Sequence, residues 1–365
     1  MLSKIKARLK TVTDDNLDGD ILSLGLVTNI IENDGTVVFS IKMPTGYRGD
    51  AAALRDAAKK SVAAIDGVKK VLLALVTEGS EQFDPSQQPP KLTRKKERAP
   101  GPDLRPAPGS IPGVRTILAV ASGKGGVGKS TTSVNLALAL GALGLKVGLL
   151  DADIYGPSMP RLLNMTGRPE IRDDRIVPME QYGLNIMSMG FLQDEESPVI
   201  WRGPMVVSAL MQMVREVDWG EIDVLVLDMP PGTGDSQLTM AQQVPLTGAV
   251  IVSTPQDLAL IDARKGLKMF KNVDVPILGI IENMSSFVCP HCGERSDIFG
   301  HGGAQEESHK LGVPFLGAIP LHMDIRRHSD AGTPVVISEP DGPHAIIFQK
   351  IALRIAAQML AEDDD

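Results

Sequence analysis

The run Gly123–Ser130 has the residue types and spacing of a phosphate-binding loop, G-x-x-x-x-G-K-S. Its glycines let the backbone wrap a phosphate with its N–H groups inward, and the helix that follows adds positive potential at its N-terminus. We expect Lys129 to reach the β- and γ-phosphates of a nucleoside triphosphate and the Ser130 hydroxyl to bind Mg²⁺. The predicted nucleotide contacts are Gly123, Lys124, Gly125, Gly126, Val127, Gly128, Lys129, Ser130 and Thr131.

Carboxylates follow two of the predicted buried strands. Asp228 ends the apolar run Val224–Leu227, where Mg²⁺ needs a hard oxygen ligand, directly or through water. The loop at 229–235 is rich in glycine, which suits a segment that moves when the γ-phosphate leaves. Asp151 and Asp153 end another strand, and because the chain usually turns there we expect them to have different roles. Asp151 is predicted to lie nearer Mg²⁺ or to make a structural hydrogen bond.

A second lysine, Lys124, lies near the start of the loop. A nucleotide bound by the same chain does not require a lysine at this position. The segment Lys124–Ser130 resembles the deviant Walker A motif of the ATPases that include MinD, ParA, the nitrogenase iron protein and the Get-type ATPases. The resemblance implies a homodimer in which Lys124 reaches the partner's nucleotide and Asp153 orients the attacking water. It also implies that Asn283, just after the predicted strand Ile277–Ile281, recognises the adenine of ATP through its amide. The catalytic residues of this expected ATPase are Lys124, Lys129 and Asp153.

The two cysteines of the chain, Cys289 and Cys292, form a C-x-x-C pair in a polar segment. Two thiolates at this spacing can grip one metal, but a stable zinc or iron–sulfur site usually has four ligands. A two-fold dimer would double the pair to four at its axis. The residues alone leave open an iron–sulfur cluster or a zinc ion bridging two chains, a site completed by His291 or His301 within one chain, and a redox pair.

Apolar periodicity predicts the elements that position these residues. Predicted helices are Leu2–Leu9, Ala51–Ile65, Thr132–Leu143 and Pro204–Val217. Predicted strands are Val27–Ile31, Thr36–Met43, Val68–Val76, Ile117–Ala121, Val147–Leu150, Leu184–Met189, Val224–Leu227, Ala249–Val252, Ile277–Ile281 and Phe315–Ile319. Continuous apolar strands that alternate with helices indicate an α/β fold, with a mostly parallel sheet covered by helices on both faces.

Three segments follow from these patterns. Residues 1–78 are predicted to form a small α+β domain, and residues 114–365 the P-loop ATPase domain with the C-x-x-C loop. Between them, residues 79–113 are rich in proline and charge and poor in apolar side chains, so we expect a flexible linker.

Composition excludes several classes of partner. The 365 residues carry a net charge of −8, which gives no general attraction to nucleic acid or to an anionic membrane. No apolar run approaches the ~20 residues that a bilayer requires, and the first residues lack an apolar signal core. We therefore expect a cytoplasmic protein without nucleic-acid or membrane partners.

Residues from about 116 to 357 resemble the Mrp/ApbC family of iron–sulfur cluster carrier ATPases. The matching motifs are Gly123–Thr131, Asp151–Pro160, Trp201–Met205, Asp228–Asp235, Glu282–Ser285, Cys289–Gly293, Ile298–Gly300 with Gly302 and Gly303, and Leu316–Arg326. The resemblance implies a P-loop ATPase that binds a [4Fe–4S] cluster between two subunits through Cys289 and Cys292 and delivers it to apoproteins. Residues 1–78 resemble an iron–sulfur-assembly domain, but the loop Met43–Gly49 lacks the cysteine that related domains often carry.

Two rival functions share the P-loop. A MinD- or ParA-like positioning ATPase would carry structural zinc at the C-x-x-C pair, but MinD-type proteins bind membranes through a basic C-terminal helix. Here the stretch Ala345–Leu360 leads into the acidic residues 362–365, which an anionic membrane repels. An electron-transfer protein like the nitrogenase iron protein has ligand cysteines far apart in sequence, unlike this adjacent pair.

Overall fold

The computed structural model describes residues 1–14, 17, 19–33, 36–43, 47, 49–77, 110–192, 203–289 and 291–361. Helices within these ranges are α1 Leu2–Leu9, α2 Ala51–Ala63, α3 Lys129–Ala142, α4 Met159–Leu162, α5 Gly203–Arg215, α6 Asp235–Gln243, α7 Asp257–Asn272, α8 Gly303–Leu311, α9 Met323–Asp330, α10 Val335–Ser338 and α11 Pro343–Ala361. Most of the predicted linker, the motif residues Trp201 and Arg202, and the acidic residues 362–365 lie outside the described residues.

Most of the strands that the structure describes belong to one sheet. The strands are β1 Val27–Asn33, β2 Thr36–Met43, β3 Lys70–Thr77, β4 Val114–Ala121, β5 Val147–Asp151, β6 Ile171–Arg172, β7 Arg175–Ile176, β8 Met179–Gln181, β9 Leu184–Ser188, β10 Ile222–Asp228, β11 Gly248–Ser253, β12 Ile277–Val288, β13 Arg295–Ser296 and β14 Phe315–Leu321. The central sheet has the order β14-β12-β11-β4-β10-β5-β9-β8. All neighbours pair in parallel except β8, which is antiparallel to β9, while β13 pairs antiparallel with the end of β12. This order confirms the predicted P-loop fold.

Helices cover both faces of this sheet. Alternate residues of β4 belong to two separate cores: Leu118 packs in the cluster that contains Phe348 of α11, and Ile117 in the cluster that contains Phe270 of α7. Side chains of a strand alternate between faces, so these two cores are the two sides of the sheet. Within the described part of the chain, no helix is long and apolar enough to cross a bilayer.

The N-terminal residues form a small α+β unit with its own sheet and core, as predicted. Its three strands have the order β1-β2-β3, with β1 antiparallel and β3 parallel to β2. Helix α2 begins at Asp50, whose carboxylate accepts hydrogen bonds from the N–H groups of Ala52 and Ala53 at 2.9 and 3.0 Å. Phe39 and Ile41 are fully buried in the core between sheet and helices.

The predicted end of one strand is wrong, and the error matters for the site. The strand predicted as Ile277–Ile281 continues as β12 to Val288, so Asn283 lies within it rather than after it. Polar residues beyond Ile281 interrupt the apolar run, yet the pairing with β14 resumes at Phe287 after an irregularity. Met284 lies in that irregularity and has φ +56°, a left-handed backbone conformation that is uncommon for residues other than glycine.

Candidate functional site

The phosphate loop joins the end of β4 to the start of α3, the context that its motif requires. Gly126 and Gly128 have φ of +83° and +79°, so the turn depends on glycine. At Gly123 a Cβ atom would lie 2.2 Å from the carbonyl carbon of Asp262 in α7. The glycines thus serve both the turn of the loop and the close approach of α7.

Lys129 and Asp228 form the buried centre of the site. Nζ of Lys129 lies 2.7 Å from Oδ1 of Asp228, and these side chains are 6% and 0% exposed. The hydroxyl of Ser130 donates to Oδ2 of Asp228 at 2.6 Å, and the hydroxyl of Ser133 donates to Oδ1 at 2.6 Å. The structure therefore brings three predicted site residues together around one carboxylate. Ser133 was missed, although it follows Lys129 by four residues and so shares its helix face.

Asp151 is the neighbour of Asp228 across the sheet. The two residues are register partners on the parallel strands β5 and β10, and both are fully buried. Burial, and secondarily the charge of Asp228, raise the pKa of Asp151 to about 7. When both carboxylates are ionised they outnumber the one lysine, and a divalent cation would offset the excess negative charge.

Both oxygens of Asp151 already accept hydrogen bonds. Oδ1 accepts from the N–H of Asp153 at 3.1 Å, and Oδ2 accepts from the N–H groups of Ser158 and Met159 at 2.9 and 3.2 Å. Ser188 is the register partner of Asp151 on β9, and its hydroxyl donates to Oδ2 at 3.0 Å. Asp151 therefore fixes the loop that follows β5, and sequence reasoning did not find Ser188 because only the sheet register brings it near.

Asp153 lies on that loop and belongs to the same electrostatic environment. Burial raises the pKa of Asp153, Lys129 opposes the shift, and Asp228 adds to it. Lys124 is half-buried and makes no ion pair with any residue that the structure describes. The carbonyl oxygen of Lys124 accepts a hydrogen bond from the Ser122 hydroxyl at 2.9 Å, which fixes the backbone at the loop's start.

Asn283 contacts the phosphate loop from β12. Its Nδ2 donates to the carbonyl oxygen of Val127 at 2.8 Å, and a Cβ atom on Gly128 would lie 2.2 Å from the same nitrogen. Asn283 is 8% exposed. The donor half of this amide is thus directed at the loop backbone.

The cysteine pair lies in a tight hairpin between β12 and β13. The N–H of Cys289 donates to the carbonyl of Glu294, and the N–H of Gly293 donates to the carbonyl of Cys289, both at 2.9 Å. Cys289 is half-buried and Cys292 is exposed. Backbone N–H groups of Cys292 and His291 lower the pKa of Cys289, which favours the thiolate that a metal requires.

Neither histidine near this hairpin completes a metal site with the cysteines. Among the described residues, no set of three metal donors includes Cys289 or Cys292. Nδ1 of His301 lies 3.0 Å from a guanidinium nitrogen of Arg295 instead. Within the part of the chain that the structure describes, one chain therefore presents two thiols and no third ligand at this point.

Comparison with known proteins places these features in a family. A family model described as "NUBPL iron-transfer P-loop NTPase" matches residues 113–356, and one described as "Iron-sulfur cluster assembly protein" matches residues 2–73. An iron–sulfur cluster transfer protein NUBPL of Dictyostelium discoideum is 52% identical over 70% of this chain and 80% of its own length. An iron–sulfur cluster carrier protein of Helicobacter pylori is 42% identical over 96% of this chain and 90% of its own.

A solved structure shows the same likeness in three dimensions. It is a nucleotide-binding protein of Archaeoglobus fulgidus, in complex with ADP and with cobalt found in it. The likeness has a TM-score of 0.56 at 38% identity and covers 64% of this chain and 90% of that one.

Proposed function

This chain belongs to the NUBPL iron-transfer P-loop NTPase family, and from that premise we propose that it is an ATP-dependent iron–sulfur cluster carrier. Its cargo is a [4Fe–4S] cluster held between two copies of the chain, and its recipients are apoproteins that need such a cluster. The relatives described above are iron–sulfur cluster transfer or carrier proteins, so they do not favour the alternative of a positioning ATPase with structural zinc.

The observation that carries the proposal is the cysteine hairpin. It offers two thiols, one of which has its pKa lowered by backbone N–H groups, and no third donor within the described chain. A [4Fe–4S] cluster is held by four thiolates. Two hairpins related by a dimer axis supply four. The small N-terminal domain adds none, because the chain has only two cysteines.

The nucleotide half of the mechanism uses the loop and the two strand ends. Ser130 Oγ and Asp228 Oδ2 lie 2.6 Å apart and are hard oxygens, so both fit a single Mg²⁺ ion. When bound there, Mg²⁺ would be held by Ser130 and Asp228 and would offset the negative charge that develops on the phosphates. Lys129 exchanges its contact with Asp228 for the phosphates. Asp151 holds the loop that carries Asp153.

Two further assignments complete this mechanism. Asp153, on the loop after β5, orients the attacking water. Lys124 forms no ion pair with a described acidic residue, and it extends to the nucleotide of the partner subunit. Asn283 stabilises the phosphate loop through its hydrogen bond to the Val127 carbonyl, and it contributes to the adenine pocket.

Strand β12 joins the two halves. It carries Asn283 against the phosphate loop and ends at Val288, directly before Cys289. Asn283 and Cys289 are six residues apart, which is at most ~20 Å in extended chain. One strand therefore joins the nucleotide site to the proposed cluster site. Met284 lies between Asn283 and Cys289 and has a left-handed backbone conformation. At such an irregularity the direction of the strand can change. We infer that nucleotide-dependent movement of the loop reaches the hairpin along β12.

The proposal is tested by anaerobic reconstitution with iron and sulfide, followed by transfer to an apo-enzyme that regains activity only with a [4Fe–4S] cluster. The matched donor carries Cys292→Ser and is loaded under identical conditions. We expect wild type to restore enzyme activity with ATP and the variant not to do so. Equal restoration by both would contradict the proposal, and a colourless protein that holds zinc would support the alternative.

A further inference from the structure

A second group of metal donors shares no residue with the nucleotide and cysteine sites. His322 follows β14 and caps the N-terminus of α9, Asp324 is in the first turn of α9, and His344 is in the first turn of α11. These three residues, named here the histidine corner, come from segments about twenty residues apart. Only the packing of the two helices brings them together.

The donor atoms are close enough to share one ion. One donor atom of each residue lies within 4.8 Å of the other two. The imidazole centroids of His322 and His344 are 4.2 Å apart. Nδ1 of His322 is 3.3 Å from Oδ2 of Asp324 and accepts the N–H of Asp324 at 3.2 Å, so an ion bound at this nitrogen would replace the cap hydrogen bond. Bonds of ~2.1 Å in a tetrahedral arrangement put donors ~3.4 Å apart, so small side-chain rotations bring the three into range.

His344 presents a buried nitrogen that calls for a partner. Nδ1 of His344 is shielded from solvent and has no hydrogen-bond partner among the described residues. Buried polar atoms are almost always paired, so an unpaired one points to a ligand or a water. Burial, and then the neighbouring His322, lower the pKa of His344. An unprotonated Nδ1 without a protein partner can offer its lone pair to a metal ion.

The charge of the group comes from Asp324. Its Oδ1 is held by Arg327 at 2.9 Å, which leaves Oδ2 directed toward His322. The positive ends of α9 and α11 oppose a cation here, and the Asp324 carboxylate offsets that potential. Affinity for a cation should therefore depend on this carboxylate as strongly as on the imidazoles.

We propose that His322, Asp324 and His344 bind one divalent transition-metal ion per chain. Two imidazoles and a carboxylate are a donor set for ions such as Zn²⁺ and Co²⁺, and three protein ligands leave a position for water. The site lies at the same edge of the sheet as the cysteine hairpin, since Leu321 before His322 is the register partner of Phe287 before Val288. It is nevertheless complete within one chain and needs no thiolate.

The experiment uses the full chain with both cysteines changed to serine, so that thiolates cannot bind the probe. Co²⁺ is titrated while its visible absorption is recorded, and Zn²⁺ binding is measured by calorimetry. We expect one ion per chain and at least a tenfold weaker affinity in His344→Gln and in Asp324→Asn. The matched control is His309→Gln, since His309 is exposed on α8 and belongs to no metal-donor group among the described residues.

Thermal melting separates loss of the site from loss of the fold. With Zn²⁺ present, the Tm of the cysteine-free chain should rise, because an ion that binds only the folded state stabilises it. His344→Gln should lose this rise while it melts normally without metal. The inference is overturned if fewer than about half the chains bind Co²⁺ at saturation, or if His344→Gln and His309→Gln bind it equally. It does not rest on the cluster-carrier function, whose failure would leave these outcomes unchanged.

Discussion

Nζ of Lys129 lies 2.7 Å from Oδ1 of Asp228, so the lysine of the phosphate loop and the acid at the end of β10 form one buried ion pair. Hydroxyls of Ser130 and Ser133 complete the contacts of that carboxylate. In the proposed ATPase, the phosphates of the nucleotide would compete with Asp228 for this lysine.

Lys129→Ala should reduce ATP hydrolysis by at least ~10³-fold, because the charge that reaches the β- and γ-phosphates is lost. Phosphate release measures it. Lys146→Ala is the matched control, since Lys146 is exposed just before β5, at the end of the strand opposite to Asp151. Turnover of Lys129→Ala within a few-fold of wild type would contradict the assigned role of the loop.

Lys124→Ala and Asp153→Asn should each be inactive alone but partly active when mixed. If Lys124 serves the partner's nucleotide, a mixed dimer has one site with both defects and one with neither. The steady-state ATPase rate is measured after the subunits exchange, and differently tagged chains verify that mixed dimers form. An absence of recovery in verified mixed dimers would argue that Lys124 acts within its own chain.

Asn283→Ala should weaken the binding of both ATP and GTP by about fivefold, and that of ATP by more, because ATP also loses the adenine contact. The shared loss follows from the hydrogen bond to the Val127 carbonyl, since such a bond contributes about 1 kcal/mol. Calorimetry with both nucleotides checks it. A further loss confined to ATP would report the expected adenine contact, whereas an unchanged affinity for GTP would show that the bond to Val127 does not support the loop.

Glu282 predicts a pH dependence of stability. It is 2% exposed, its Oε2 accepts a hydrogen bond from the N–H of Ala304 at 2.8 Å, and burial raises its pKa above 4.5. The folded chain thus keeps this proton to a higher pH than the unfolded chain. The contribution to stability is fully present below pH 4.5 and is lost as pH rises through the folded pKa.

Glu282→Gln should reduce the loss of unfolding free energy with rising pH, because glutamine still accepts the Ala304 hydrogen bond and does not titrate. Urea unfolding from pH 5 to pH 8 measures the free energy of unfolding at each step. Glu306→Gln is the matched control, since Glu306 is exposed on α8. Identical pH slopes in wild type and Glu282→Gln would show that this carboxyl does not titrate abnormally.

Much of the fold follows from local pattern. The apolar runs that became β4, β5, β10 and β11 were predicted to within three residues at each end, because strands buried on both faces are apolar throughout. The antiparallel edge strand β8 was missed, since its three residues have no such run. The extension of β12 was missed because pairing with β14, rather than its own residues, keeps it extended.

The site divides in the same way. Lys129, Ser130 and Asp228 were found because motif and strand end identify them, and the structure brings them together. Ser188 and the histidine corner carry no sequence signal of this kind. Their partners are 37 residues away in the first case, and about twenty in the second, and only tertiary packing joins them.

The central claim is that two chains share one cluster through Cys289 and Cys292. The most direct test is iron content together with oligomeric state after anaerobic reconstitution, for wild type and for the single variants Cys289→Ala and Cys292→Ala. Wild type should be a dimer with about four irons per two chains, and each variant should hold no stable cluster while it still binds ATP. A monomer with a full cluster, or a single variant that retains one, would contradict the bridging site.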